Sequence, residues 1–280
     1  MVNLISVFND TKKHCNNDTE LIQAIDNTIQ NQYIVAEEET VDVANGHRFD
    51  KAAEITVSTK RSFQAAEAYK GEKMCVLNFA SSRHPGGGVV TGATAQEECL
   101  CRCSTLYFAI SEQNTVKNFH QKHDTAVKQK KMDLLYNADC IFSPDIVVLK
   151  SDDGKYTLLP EKERYNVDII TCAAPNLTFV SKSIADKNTR INYDKLKALH
   201  KARAKRILDI AKANQEDVLI LGAFGCGAFR NPPQVVAQAW SEVLKDYLYD
   251  FKKIEFAVYC KPDKPSKNYT AFKEVIEKNF

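Results

Sequence analysis

The chain has little of what marks membrane, secreted or nucleic-acid-binding proteins. No stretch of its 280 residues approaches the run of about 18 apolar residues that a membrane-spanning helix needs. Residues 1–10 carry no basic segment before their short apolar run, which is not the pattern of a secretory signal peptide. The 38 basic and 36 acidic residues leave a net charge of only +2, so strong direct nucleic-acid binding is not predicted. We therefore expect an intracellular, soluble protein, most simply a cytoplasmic one.

Disulfide bonds and metal clusters are not predicted either. The nine cysteines are an odd number and come without an export signal, which favours reduced thiols. Cys99, Cys101 and Cys103 alternate in a segment with a helical pattern, where residues two apart point about 200° away from each other. These thiols are interpreted as small buried or half-buried side chains, and no metal site is predicted.

Internal repeats and low-complexity linkers are also missing, which favours one continuous globular unit. Asp18 can cap a helix that runs to about Gln30 and carries apolar residues at helical spacing. We interpret residues 1–40 as an N-terminal accessory extension, helical in part, and residues 41–280 as the main domain.

The main domain alternates strand and helix patterns. Strands are predicted at 54–57, 74–80, 141–149, 168–172, 218–222 and 254–260, and helices at 62–69, 96–113, 195–213, 232–247 and 269–279. The continuous apolar run 218–222 is typical of a strand covered by helices on both faces. The pattern therefore predicts an α/β fold in three layers. We expect residues 114–139, which are rich in lysine and contain His120 and His123, to form an exposed helix and loop.

The most informative segment sets a glycine loop directly before two adjacent carboxylates. Three glycines are followed, seven residues later, by an amide and two acids: Gly86, Gly87, Gly88, then Gln96, Glu97 and Glu98. Glycine allows the backbone to take positive φ and to approach a ligand closely. The loop follows the predicted strand 74–80, and α/β sheets bind ligands at the carboxyl ends of their strands. Catalytic chemistry is the functional interpretation of this pattern.

The two carboxylates cannot do the same job. Adjacent helical residues diverge by about 100°, so Glu97 and Glu98 cannot both point at one atom. Acidic residues in the first turn of a helix also occur simply because they complement the helix dipole. From the residues alone, both interpretations stay open.

A second glycine loop, 222–229 (GAFGCGAF), lies between a predicted strand and a predicted helix. Its backbone N–H groups can form an anion-binding nest beside a helix N-terminus, which suits a diphosphate. The alternative is a tight turn whose glycines serve packing only. Cys226 has no recognisable base beside it, so we favour a backbone role for it over nucleophilic catalysis.

These motifs resemble one enzyme family. GGG followed seven residues later by QEE, within LNFASSRHPGGG…AQEE…CRCSTLY, is similar to the signature of the microbial poly(ADP-ribose) glycohydrolases. The likeness continues at 142–148 (FSPDIVV), 171–176 (TCAAPN) and 221–233 (LGAFGCGAFRNPP), and covers roughly residues 40–280. The resemblance implies a macrodomain-like α/β/α fold with a central mixed sheet.

The resemblance also implies roles for individual residues. Glu98 would be the general acid that protonates the leaving ribose hydroxyl and then activates water. Glu97 would bind and orient the ribose hydroxyls of the leaving unit, and Gln96 would fix the geometry of the carboxylates. Asn78 would form a hydrogen bond with the distal ribose.

The second loop would hold the diphosphate of ADP-ribose. The resemblance assigns this contact to the backbones of Gly225, Cys226, Gly227 and Ala228, and it packs Phe229 on the distal ribose.

The function implied is hydrolysis of the ribose–ribose O-glycosidic bonds of poly(ADP-ribose), mainly from chain ends, through an oxocarbenium-like state and without a cofactor. ADP-ribose would be the product, and poly(ADP-ribose) or an ADP-ribosylated protein the partner. Two alternatives remain: removal of mono-ADP-ribose from protein or nucleic acid, and ADP-ribose binding without turnover.

Overall fold

A seven-stranded mixed sheet forms the centre of the computed structural model, which describes residues 2–178, 192–261 and 263–280. Its strands are β1 (Tyr33–Val35), β2 (Glu54–Ser58), β3 (Met74–Phe79), β4 (Cys140–Val148), β5 (Tyr165–Cys172), β6 (Val218–Leu221) and β7 (Lys253–Ala257). Their order across the sheet is β1-β4-β5-β3-β6-β7-β2. The five strands from β5 to β2 run parallel, whereas β4 pairs antiparallel with both β5 and β1.

Helices connect and cover these strands. They are α1 (Leu4–Asn17), α2 (Thr19–Asn31), α3 (Ser62–Ala66), α4 (Gln96–Cys103), α5 (Leu106–Ile110), α6 (Gln113–Thr115), α7 (Lys122–Lys128), α8 (Tyr193–Ala213), α9 (Pro233–Leu244) and α10 (Lys267–Asn279). A π-helical turn, Val116–Gln121, links α6 to α7. In the part of the chain that is described, no helix has both the length and the apolar character to cross a bilayer.

Alternate side chains of β3 show how the sheet separates two helical layers. Val76 belongs to a buried cluster with Phe63 and Leu100, on the face covered by α3 and α4. Leu77 belongs to the opposite cluster, with Ile207 of α8 and Trp240 of α9. Successive residues of a strand point to opposite faces, so a strand with apolar residues at every position requires cover on both. The prediction of a three-layer α/β fold with N-terminal helices is confirmed.

The N-terminal helices pack on this layered core. The side chain of Asp18 accepts hydrogen bonds from the backbone N–H groups at the start of α2, as predicted. Helix α1, which the sequence analysis missed, is tied to the main domain by the buried Lys150, whose Nζ donates to the carbonyl of Val7 at 2.9 Å and lies 2.8 Å from Asp10. The division of the chain at residue 40 stays a prediction.

The single helix predicted at 96–113 is wrong, because the chain breaks into α4 and α5. Ser104 takes an extended conformation and forms an isolated antiparallel bridge with Val148. The N–H of Thr105 donates to the carbonyl of Val147, and the N–H of Leu149 donates to the carbonyl of Cys103. Pairing with the end of β4 therefore outweighs continuation of the helix.

The expectation of an exposed helix and loop at 114–139 is wrong in part. The lysines of this segment are exposed, but His120 and His123 are each only 1% exposed. Both rings pack against Phe119, with ring centroids 5.0 and 4.5 Å away. One side of the segment is thus part of the interior.

Candidate active site

A cavity of about 510 Å³ opens at the carboxyl ends of the parallel strands. The chain segments that follow β2, β3, β5, β6 and β7 all contribute to its wall; examples are Arg61, Ser81, Ala174, Ala223 and Tyr259. Because parallel strands end at the same edge of a sheet, these segments meet although they are far apart in sequence. The start of α4 closes one side of the cavity with Gln96, Glu97 and Glu98.

Glu98 has one carboxylate oxygen fixed and one left without a protein partner. Its Oε1 accepts a hydrogen bond from the backbone N–H of Gly88 at 2.9 Å. Its Oε2 is buried, with no hydrogen-bond partner, in a side chain that lines the cavity. A buried polar atom without a partner is costly in a folded protein and needs an explanation. A bound substrate group is the explanation that the position of Glu98 favours.

The glycine loop leaves no room for a side chain beside this carboxylate. Gly87 has φ +55°, and a Cβ atom there would lie 2.5 Å from Glu98 Oε1 and 3.1 Å from Glu97 Oε2. Only glycine combines this conformation with so close an approach. Of the three glycines, Gly87 lines the cavity. Gly86 is buried, and the N–H of Gly88 donates to Glu98.

Glu97 makes different hydrogen bonds from those of Glu98, although both carboxylates lie beside Gly87. Its Oε2 accepts from the backbone N–H of Ser81 at 2.7 Å, and its Oε1 lies 3.4 Å from the amide nitrogen of Asn78. Burial raises the pKa of Glu97 to about 8; the N–H of Ser81 opposes the rise, while the charge of Glu98 adds to it. A carboxyl with this pKa exists in both protonation states near neutral pH.

Gln96 connects the start of α4 to the end of β3. Its Oε1 accepts from the N–H of Phe79 at 2.9 Å, and its Nε2 donates to the carbonyl of Leu77 at 2.8 Å and to Ser62 Oγ at 3.0 Å. Each bond satisfies a polar group that lies beside the cavity, so Gln96 fixes the position of the two glutamates that follow it.

Asn78 lies in β3 and is fully buried, below the wall of the cavity. Its Nδ2 donates to Thr171 Oγ1 at 3.2 Å, and its Oδ1 has no hydrogen-bond partner. In the structure Asn78 contacts Glu97, whereas its contact with a ribose stays a prediction.

The second glycine loop forms the opposite wall. Gly225, Gly227, Ala228 and Phe229 line the cavity. Gly225 has φ +75°, and a Cβ atom there would lie only 2.5 Å from the Cβ of Ala174. The buried side chain of Asn231 ties this loop to the segment that follows β5 and to α8.

The polar atoms of Asn231 are all used within the protein. Its Nδ2 donates to the carbonyls of Pro175 and Gly225, and its Oδ1 lies 3.0 Å from His200 Nε2. The loop, the segment that follows β5 and helix α8 are thereby held together, which supports this wall of the cavity.

Cys226 does not line the cavity with its side chain. Its Sγ lies 3.7 Å from the carbonyl of Phe224, and burial raises the pKa of the thiol well above its ordinary value. A thiol becomes a good nucleophile when its pKa is lowered, so this one is not activated for attack.

A charged group that no sequence pattern indicates, Arg61, also lines the cavity. The guanidinium of Arg61 stacks 4.2 Å from the ring centroid of Tyr259 and lies 3.9 Å from Asp152 Oδ1. Burial raises the pKa of Asp152 to about 7, although Arg61 opposes the rise. Asn268, at the start of α10, lines the cavity beside them. No sequence signal marks these residues, because they come from separate loops that only the fold brings together.

Comparisons with known proteins agree with this geometry. The family model described as the catalytic domain of microbial-type poly(ADP-ribose) glycohydrolase (PARG) matches residues 5–151, more than half of the chain. No curated protein matches the chain. Among solved structures, the chain is similar to two bacterial poly(ADP-ribose) glycohydrolases.

The enzyme from Thermomonospora curvata, bound to the inhibitor ADP-HPD, is 26% identical with a TM-score of 0.80, over 97% of this chain and 98% of that one. The enzyme from Deinococcus radiodurans, in complex with ADP-ribose, is 31% identical with a TM-score of 0.74, over 91% of this chain and 97% of that one. The family match, the fold and the two glycine loops agree, and the chain belongs to the microbial-type poly(ADP-ribose) glycohydrolase family.

Proposed function

We propose that this protein hydrolyses the ribose–ribose O-glycosidic bonds of poly(ADP-ribose) and releases ADP-ribose. The single observation that carries the proposal is the free, buried Oε2 of Glu98 in the cavity, opposite an Oε1 that Gly88 holds in place. The family match and the relatives that were solved with ADP-ribose or an inhibitor support the same substrate class.

The chemistry assigned to Glu98 follows from glycoside hydrolysis. Its protonated carboxyl gives a proton to the ribose oxygen that departs, while the bond from that oxygen to the anomeric carbon breaks. The sugar passes through an oxocarbenium-like state. Glu98, now ionised, removes a proton from the water that attacks the anomeric carbon, which restores the acid.

The other predicted residues are assigned supporting roles. Glu97 orients the ribose hydroxyls of the leaving unit from its fixed position on Ser81. The loop holds the diphosphate through the backbones of Gly225, Cys226, Gly227 and Ala228, and Phe229 packs on the distal ribose. In the structure the N–H of Cys226 donates to the carbonyl of Ala223 at 3.0 Å. Asn78 supports the distal ribose from below.

Cleavage mainly from chain ends is consistent with the size of the cavity. Its volume of about 510 Å³ lies within the range of about 300–1,000 Å³ that is typical of pockets for a single small molecule. One ADP-ribose unit fits this range, and we propose that the bound unit is the terminal one.

A reducing compartment is consistent with the state of the cysteines. All nine are free, and eight of them are buried. Disulfide bonds are rare in the cytosol, so free thiols at every position support a cytoplasmic location.

The test compares substrates. Purified protein is incubated with poly(ADP-ribose) and, separately, with mono-ADP-ribosylated protein, and the released ADP-ribose is measured by mass spectrometry. We expect release from the polymer. Release from the mono-ADP-ribosylated protein alone would assign the same site to a different linkage, and ADP-ribose binding without release from either would make the protein a binding module.

A further inference from the structure

Three buried side chains form a chain of hydrogen bonds beside the segment that leads from β3 to the glycine loop 86–88. Ser82 Oγ lies 2.9 Å from His123 Nδ1, and His123 Nε2 lies 2.8 Å from Asp139 Oδ2. Each of the three residues is 1% exposed, and none of them lines the cavity. A serine nucleophile needs access for its substrate, so this series is not a second hydrolytic site.

The hydrogen bonds of Asp139 determine the tautomer of His123. Burial raises the pKa of Asp139, but hydrogen bonds from His123 and from the backbone N–H of Glu37 outweigh this and hold the pKa well below its usual range. The ionised Asp139 can only accept, so His123 Nε2 carries the proton that points to it. His123 Nδ1 lies within hydrogen-bond distance of Ser82 Oγ, at 2.9 Å, and of the Ser82 carbonyl oxygen, at 3.3 Å.

A second histidine holds the backbone of the same serine. His120 Nδ1 lies 3.3 Å from the carbonyl oxygen of Ser82. Burial lowers the pKa of His120 to about 4, so the ring is neutral at neutral pH and its Nδ1–H donates to that carbonyl. The π-helical turn contains His120, and His123 follows three residues later on the same side of the segment. The hydroxyl and the carbonyl oxygen of Ser82 are therefore both in contact with one helical segment.

Ser82 stands between the two contacts that the catalytic carboxylates make with the loop. The preceding residue, Ser81, donates its N–H to Glu97 at 2.7 Å. Six residues further on, Gly88 donates its N–H to Glu98 at 2.9 Å. A displacement of Ser82 would move both donors, because they belong to the same short loop.

We propose that Ser82, held by His123 and Asp139, is a positioning residue that sets the geometry of the catalytic carboxylates. This inference rests on the proposed function for its kinetic consequences. Misplacement of reacting groups by about 1 Å can cost on the order of 10²-fold in rate, so the loss of one such hydrogen bond is expected to lower kcat measurably.

The kinetic test compares two buried serines that each make one side-chain hydrogen bond. Ser82→Ala removes the bond to His123, and Ser143→Ala removes a bond from Ser143 Oγ to Gln32 Oε1 at 3.1 Å in β4. Both variants should show similar falls in Tm. Ser82→Ala should lower kcat for poly(ADP-ribose) by about 10- to 100-fold and leave KM within about threefold, whereas Ser143→Ala should leave kcat within about twofold. Equal kcat values for the two variants would overturn the proposal.

A second measurement does not depend on turnover. The backbone amide of Ser81 should be protected from hydrogen exchange in the wild type and in Ser143→Ala, and should exchange faster in Ser82→Ala, as followed by NMR.

The outcomes are separable. A wild-type protein that releases no ADP-ribose contradicts the proposed function, and the exchange of the Ser81 amide still tests the positioning role. Unchanged protection of this amide in Ser82→Ala contradicts the positioning role, whatever the activity.

Discussion

The ring of Phe8 in α1 lies edge-on against the ring of Tyr107 in α5, with centroids 4.9 Å apart. Tyr107 in turn packs beneath the glycine loop 86–88, where a Cβ atom on Gly86 would lie 2.8 Å from its ring. The first helix of the chain thus supports the loop that binds Glu98, through one intermediate side chain. This contact gives α1 a structural connection to catalysis that its position in the sequence does not reveal.

Replacing Phe8 by alanine should therefore destabilise the fold. Phe8 is 1% exposed, and burial of such a ring typically contributes about 3–5 kcal/mol relative to alanine. Urea unfolding should show a loss of this size. Ile5→Ala is the matched control on the same helix, since Ile5 is 44% exposed and should cost less than about 1 kcal/mol. Similar losses for the two variants would contradict the packing described here.

Gly87→Ala should remove activity and should destabilise the fold by about 1–2 kcal/mol through its backbone conformation. The new methyl group would be forced against Glu98 Oε1, which must move. A displacement of about 1 Å at a reacting group can cost on the order of 10²-fold in kcat.

The control for this variant is Gly71→Ala. Gly71 also has positive φ, at +91°, but a Cβ atom there would meet nothing within 4 Å. Both variants bear the backbone cost of about 1–2 kcal/mol for an L-residue in the left-handed region. Only Gly87→Ala should lose turnover, so a comparable loss in Gly71→Ala would show that strain alone is responsible.

The raised pKa of Glu97 predicts how stability depends on pH. Burial shifts this pKa from its ordinary value of 4.5 to about 8, so between these values the folded protein binds more protons at Glu97 than the unfolded chain does. The contribution of Glu97 to stability is complete below about pH 4.5 and is lost as pH rises towards 8, with a slope of at most about 1.4 kcal/mol per pH unit.

Glu97→Gln isolates this contribution, because glutamine does not titrate. The free energy of unfolding of the wild type, measured relative to this variant, should fall from pH 5 to pH 8. A difference that is constant over this range would mean that Glu97 is ionised throughout.

The local parts of the site were predictable from the sequence, and the assembled parts were not. Gln96, Glu97 and Glu98 follow the glycine loop directly, and helical geometry alone predicts that the two carboxylates make different contacts. Arg61 and Tyr259 belong to loops almost 200 residues apart, and only the adjacency of β2 and β7 brings them together. No local sequence pattern indicates that Arg61 and Tyr259 stack.

The errors in the fold have physical causes of the same kind. The pattern at 96–113 is helical throughout, but Ser104 pairs with Val148, a partner that is distant in sequence. His120 and His123 sit among exposed lysines, and their burial depends on the contact with Ser82. In both places a tertiary contact determines the structure and outweighs the local secondary-structure propensity.

The most direct test of the central claim is the activity of Glu98→Gln, measured together with its affinity for ADP-ribose by titration calorimetry. Glutamine keeps the shape of the side chain but cannot donate the acid proton, and loss of a general acid typically costs about 10²- to 10⁴-fold in rate. Glu20→Gln is the control, because Glu20 also lies in the first turn of a helix but is exposed. We expect loss of ADP-ribose release in Glu98→Gln alone, with ADP-ribose affinity close to that of the wild type. Full activity in Glu98→Gln, or loss of activity only together with binding, would contradict the role of Glu98 as the catalytic acid.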